Sequence, residues 1–136
     1  MDIEITYNLT ELQIHDLLDL YHEESWSKNR TIDDVKKMLE TSWIIAIKDQ
    51  QNDKLFAFAR LLTDYVYRAF IYDVIVAKDY RSLGFGKLII NRILTHEDLK
   101  NVERIELNCI DSNITFYNKF GFDKVPDGTN MMRYYR

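Results

Sequence analysis

The segment running from Asp73 to Lys87 limits the possible folds of this chain more than any other. Asp73-Val74-Ile75-Val76 is an apolar, β-branched run that reads as a strand. Gly84 and Gly86 follow a short turn, and Leu88, Ile89, Ile93 and Leu94 then recur at helical spacing from Gly86 to about Thr95. Arg104–Cys109 is again strand-like. A strand, a tight glycine turn, a helix and a second strand form a crossover, which requires a sheet for the strands and a face of that sheet to bury the helix.

Thr10-Glu11-Leu12-Gln13 has the capping-box form, in which a hydroxyl and an amide side chain satisfy orphan N–H groups at a helix start. Leu12, Leu17, Leu18 and Tyr21 supply its apolar face. Thr31-Ile32-Asp33-Asp34 opens a second amphipathic helix that carries Val35, Met38 and Leu39 and ends near Thr41. Strand-like runs lie at Ile3–Thr6, Trp43–Ile47, Leu55–Leu62 and Phe70–Val76, with Asp49–Asp53 as a hairpin turn. Ser112 is expected to cap a short helix through Lys119, closed by Gly121. Pro126-Asp127-Gly128 then turns into a last strand, Met131–Tyr135. The expected order is β-α-α-β-β-β-α-β-α-β, an α/β (α+β) fold with a mixed, mostly antiparallel sheet flanked by helices.

With 136 residues, 46% of them hydrophobic, and only one proline and four glycines, the chain fits a single domain over residues 1–136. Twenty-two acidic residues against 18 basic ones give a net charge of -4, opposite to the usual nucleic-acid binder. No apolar run reaches the ~18 residues of a membrane span, and Met1-Asp2-Ile3-Glu4 has no basic segment leading into an apolar stretch, so a cytoplasmic protein is expected. No metal site is expected. There is one cysteine, and His15 and His22, seven apart, have no third ligand nearby. Cys109 reads as a buried thiol in an apolar strand.

The glycine loop carries the chemistry. Glycines where a strand turns into a helix let several backbone N–H groups converge on an anion at the helix N-terminus, and Arg81 and Lys87 flank that point with positive charge. A dinucleotide fingerprint would need a third glycine where Ile89 stands, and a Walker loop would need Gly-Lys-Ser/Thr after four spacers. Two glycines alone also suit a ligand-free turn.

Arg81-x-x-Gly84-x-Gly86 after an apolar strand resembles the acetyl-CoA pyrophosphate loop of the GNAT superfamily of N-acetyltransferases. Phe116-Tyr117-Asn118-Lys119-Phe120-Gly121-Phe122 is similar to that family's Phe-Tyr-x-Lys-x-Gly-Phe segment. The resemblance implies a GNAT-like fold and direct acetyl transfer from acetyl-CoA to a primary amine. It implies a strand Asp73–Val76 splayed from its neighbour, with the Val74 N–H at the acetyl oxygen and Ile75 and Val76 pairing with the pantetheine arm. Arg81, Ser82, Leu83, Gly84, Phe85, Gly86 and Lys87 would bind the pyrophosphate. Tyr117 matches the family's general acid, which protonates the departing thiolate and also touches the cofactor, and Asp73 is the candidate base.

Two positions depart from the family pattern. Tyr72 stands where some relatives carry a glutamate, and Ile110 stands where many carry an asparagine, with Asn108, Asp111 and Asn113 as candidate replacements. These departures motivate a second reading, a non-catalytic acyl-CoA-binding or sensing module. The acceptor pocket is expected between the first two helices and the later turns, with Trp26, Tyr65 and Tyr67 as substrate contacts. A small-molecule acceptor is favoured, because no extra domain is available to dock a peptide. Pairing of two copies through edge strands is a further expectation, with Met131–Tyr135 as the candidate segment.

Overall fold

The computed structural model describes residues 1–136. Its elements follow in the order β1 (Ile3–Thr6), α1 (Glu11–Glu23), α2 (Ile32–Glu40), β2 (Trp43–Asp49), β3 (Lys54–Thr63), β4 (Arg68–Val76), α3 (Phe85–Thr95), β5 (Arg104–Leu107) and α4 (Ile114–Asn118). Both predicted N-caps form. The Thr10 side chain accepts from the Gln13 N–H while the Gln13 side chain accepts from the Thr10 N–H, and Thr31 accepts from the Asp34 N–H.

The five strands make one sheet in sequence order, antiparallel from β1 to β4 and parallel between β4 and β5. Central strands β2 and β3 read as near-continuous apolar runs because both faces of the sheet are covered. On one face, Leu17, Leu20 and Tyr21 of α1 and Val35 of α2 pack on Ile44, Leu55, Phe58 and Ile75. On the other, Ile89, Ile90 and Ile93 of α3 pack on Ile45, Ile47, Leu61 and Ile71.

Four expectations need correction. Met131–Tyr135 forms no strand. Its side chains Met132, Tyr134 and Tyr135 are exposed, so no apolar face holds the segment to the sheet. Ser112 does not cap α4; it lies inside a single 3-10 turn, Asp111–Asn113, and the N-cap residue Asn113 makes no side-chain cap bond. Leu12 is 75% exposed, since α1 buries Gln13, Leu17, Leu20 and Tyr21 instead. Cys109 is exposed, because β5 stops two residues before it.

Two local features of β4 position the candidate site. The β3–β4 register shifts between Phe58 and Arg60, so that Asp73 and Val74 together oppose Ala59 as a β-bulge. Asp73 takes a left-handed φ of 56°, a conformation that aspartate tolerates better than most side chains. In addition, β5 pairs with β4 only from Arg68↔Arg104 to Ile71↔Leu107. From Tyr72 to Val76, β4 therefore has a neighbour on one side only, and backbone groups turned to the other side lack a strand partner.

Candidate active site

The open edge of β4 leads into the glycine loop. Ala77 continues the pairing with β3 by donating to the Phe56 carbonyl at 2.7 Å, and Tyr80 stacks on Phe56 with ring centroids 4.0 Å apart. This anchors the loop on its protein side. Ser82 and Gly84 both adopt left-handed φ, 63° and 90°, and Gly84 is the N-cap of α3. No side chain caps that helix, so the free N–H groups of its first turn face outward with the positive end of the helix dipole. A Cβ built on Gly84 would meet nothing within 4 Å, so the backbone there is open to approach by a ligand. Gly86 has a different role: a Cβ there would touch Phe116 Cζ at 3.5 Å, which places α4 directly against α3.

Arg81 is not turned towards that opening. Its Nε donates to the Val76 carbonyl at 2.9 Å and its Nη2 to Glu24 Oε1 at 2.8 Å. The side chain straps the loop to β4 and to the end of α1, whereas the sequence points to a direct phosphate contact. Lys87, in the first turn of α3, is exposed and keeps its ammonium available. Val76 presents its carbonyl to the open edge, as the Arg81 contact shows.

Tyr117 sits on α4, the helix that follows β5, with its ring against Phe116 and Phe122 at 5.0 and 6.0 Å. It lines a cavity of about 760 Å³ together with Phe70, Leu107, Cys109 and Met131. Its hydroxyl makes no hydrogen bond within the protein, yet no buried polar atom lacks a partner, so the phenol oxygen is reachable from the cavity. Burial, and to a lesser extent the neighbouring Cys109, push its pKa above the usual phenol value. The phenol is therefore a proton donor at neutral pH.

Asp73 occupies a setting unlike that of a general base. Its Oδ2 accepts from Tyr21 Oη at 2.8 Å, Arg30 Nη1 at 2.8 Å and Arg60 Nε at 2.6 Å. Burial alone would push the Asp73 carboxyl up, but the hydrogen bonds from Arg30 and Arg60 outweigh it and hold the group below the usual carboxylate range. A carboxylate whose pKa is lowered is a weaker proton acceptor, which argues against Asp73 as the base. Tyr21 shifts the other way. Burial, then the Asp73 charge, raise its pKa, so its hydroxyl remains the donor.

Arg30 lies over the Tyr21 ring at 4.4 Å and the Trp26 ring at 5.4 Å, and Arg60 lies over the Tyr72 ring at 4.8 Å. Trp26, half-exposed, thus meets a guanidinium of its own chain, with Tyr21 edge-on at 6.2 Å. It belongs to the cluster around Asp73, as a support for Arg30. Tyr65 and Tyr67 do not join it. They lie in the exposed β3–β4 turn, where Asp64 caps the N–H groups of Val66, Tyr67 and Arg68. That turn is at the far end of β4 from Asp73, about 20 Å along the strand at the usual rise. Arg60 and Tyr21 were not among the sequence candidates. The signal for Arg60 was a lone cation inside the apolar run Leu55–Leu62, which implies a buried anionic partner.

The Acetyltransferase (GNAT) family model matches residues 11–122 of this chain. The uncharacterized N-acetyltransferase ycf52 of Pyropia yezoensis is 33% identical over 137 residues, which cover 98% of this chain and 78% of that protein. Serotonin N-acetyltransferase 2, chloroplastic, of Oryza sativa subsp. japonica is 30% identical over 75% of this chain and 52% of its own length. Among solved structures, a GNAT-family acetyltransferase from Xanthomonas campestris pv. campestris superposes with a TM-score of 0.84 at 23% identity, covering 100% of this chain and 94% of that one.

Proposed function

We propose, since this chain belongs to the acetyltransferase (GNAT) family, that it transfers the acetyl group of acetyl-CoA directly to the primary amine of a small molecule. The observation that carries this reading is the stretch of β4 from Tyr72 to Val76 that has a strand neighbour on one side only, leading into a glycine loop open to approach at Gly84. An extended pantetheine arm can add to the open edge at Val76, whose backbone faces away from β3 while that of Ile75 pairs with Phe58, and a pyrophosphate can accept from the N–H groups of Leu83 to Lys87. Acetyl-CoA supplies an activated thioester, and the chain's own residues do the rest. The Val74 N–H donates to the carbonyl oxygen as it gains negative charge. The amine nitrogen bonds to the carbonyl carbon, the carbon–sulfur bond breaks, and Tyr117 gives its proton to the leaving sulfur and recovers one from solvent. The amine's proton leaves to water, given the ion-paired state of Asp73. The exposed Met132, Tyr134 and Tyr135 and the outer edge of β5 support pairing of two copies.

The family carries the transferase reading over that of a sensing module, and Tyr117 is the residue that separates them. No helix is long and apolar enough to cross a membrane, in keeping with a cytoplasmic enzyme.

The Gly84→Val variant tests the cradle. Valine resists a φ of 90°, and its branches project into the space assigned to phosphate. Calorimetric titration is expected to show acetyl-CoA affinity at least a hundredfold weaker than in the parent, with the circular dichroism spectrum retained. A folded variant that binds acetyl-CoA normally would remove the loop from the cofactor site.

A further inference from the structure

Asp73 is outnumbered. Two guanidinium groups converge on one of its oxygens, so the cluster of Asp73, Arg30 and Arg60 carries one net positive charge next to the proposed acetyl position at Val74. The arginines also keep most of their donors free. Arg60 makes one hydrogen bond within the protein, through Nε, which leaves both terminal amino groups unpartnered. Arg30 uses only Nη1, on Asp73 and more distantly on Met38 Sδ, which leaves Nε and Nη2. Since no sealed side-chain polar atom lacks a partner, these nitrogens are reached by solvent and free to donate. The arginine side chains are 14% and 30% exposed, so they are held in place rather than waving in solvent. Tyr21, Trp26 and Tyr72 cover their faces and leave their edges to donate.

We propose that Arg30 and Arg60 bind an anionic group on the acceptor, so that the substrate is an amine that also bears a carboxylate or phosphate. The inference rests on the transferase reading and narrows its substrate class. A planar fork of N–H donors matches both anions, and in a half-buried setting such a pair is both strong and selective. An amine anchored by its anion is aimed at the thioester, and Asp73 is the strut that holds both forks in register. An uncharged amine would leave the donors unpaired at a desolvation cost.

The test has two parts. Thiol release from acetyl-CoA is measured with matched amine pairs: phenylalanine against phenethylamine for carboxylate, and O-phosphoethanolamine against ethanolamine for phosphate. In at least one pair the charged member is expected to show a kcat/KM at least tenfold higher, which also identifies the anion. The Arg60→Lys variant keeps a positive charge beside Asp73 but loses the fork, and is expected to bring that ratio close to one. Binding is read separately by titrating the CoA-saturated protein with N-acetylglycine and with N-acetylglycinamide, the former binding at least tenfold more tightly. Turnover that shows no preference for the charged member of either pair, or, where the carboxylate pair shows the preference, equal binding of both acetyl compounds, would overturn the anion site and leave the transferase reading standing. Failure to bind acetyl-CoA at all would instead overturn that reading and the inference with it.

Discussion

Replacing Tyr117 with phenylalanine is expected to lower the rate of CoA release about a hundredfold, within a range of roughly ten- to a thousandfold, while acetyl-CoA affinity stays within about twofold of the parent. A hundredfold is about 2.7 kcal/mol of barrier, and its source is specific. The ring of Tyr117 packs on Phe116 and Phe122, and phenylalanine preserves that packing. The hydroxyl makes no hydrogen bond in the protein, so its removal leaves no buried group unpaired. What is lost is the proton for the leaving sulfur. The pH profile carries a second signature. Since burial and Cys109 raise the phenol's pKa, its proton is held throughout the neutral range, and the fall in rate from its ionisation should begin only above the ordinary phenol value near ~10. The variant should lack that fall. Steady-state thiol release from pH 6 to 10.5 checks both points, and unchanged turnover in the variant would take Tyr117 out of the mechanism.

The Asp73→Asn variant is expected to lose about 3 kcal/mol of stability at pH 7, or roughly 10 °C of thermal midpoint. Asparagine tolerates the left-handed φ nearly as well as aspartate, so backbone strain is not the cause. The cause is two arginines, 14% and 30% exposed, left without the carboxylate that pairs them. The sign with pH follows from the direction of the shift. The Asp73 carboxyl sits below its unfolded value, so its stabilisation is complete above that unfolded value, near ~3.9, and is lost as pH falls through the lower folded one. Urea unfolding at pH 7 and pH 3 should therefore show the parent losing more stability to acid than the variant does. Equal acid sensitivity of the two proteins would mean that the ion pairs with Asp73 contribute little.

Local signals in the sequence account for most of the fold. The capping box at Thr10 and the hydroxyl at Thr31 fix the two helix starts within a residue, because an N-cap is a side-chain decision made over three positions. Strands β2 to β4 were legible from their β-branched runs, and the crossover from the spacing between Val76 and Arg104. The C-terminal segment misled for a physical reason. Met131–Tyr135 has strand-forming residues, but strand propensity is realised only where a face can be buried and an edge paired, and here neither occurs. Cys109 was misplaced by two residues of strand boundary, enough to turn a buried thiol into an exposed one.

The candidate site divides along the same line. The glycine loop and Tyr117 lie in contiguous motifs, so the resemblance of those motifs to the GNAT family was enough to propose them. The Asp73 cluster is assembled from α1, the segment after it, β3 and β4, and its residues meet only in three dimensions: Tyr21 and Asp73 are 52 positions apart, Arg30 and Asp73 are 43 apart. Sequence adjacency to Val74 suggested a base at Asp73. The bulge and two arginines make it the partner of two cations, a setting no reading of the single strand could supply. Tyr65 and Tyr67 were drawn in as residues of the later turn that the resemblance makes part of an acceptor pocket, and they stand at the other end of β4 from Asp73.

The central claim is that the opened edge of β4 and the Gly84 cradle hold acetyl-CoA, and calorimetric titration of the purified protein with acetyl-CoA, with a nicotinamide dinucleotide as the comparison, tests it without knowledge of the acceptor. Saturable one-to-one binding at micromolar strength or tighter, with none for the dinucleotide, is the result the geometry predicts. A folded protein that takes up no acetyl-CoA, or that binds both compounds alike, would contradict it.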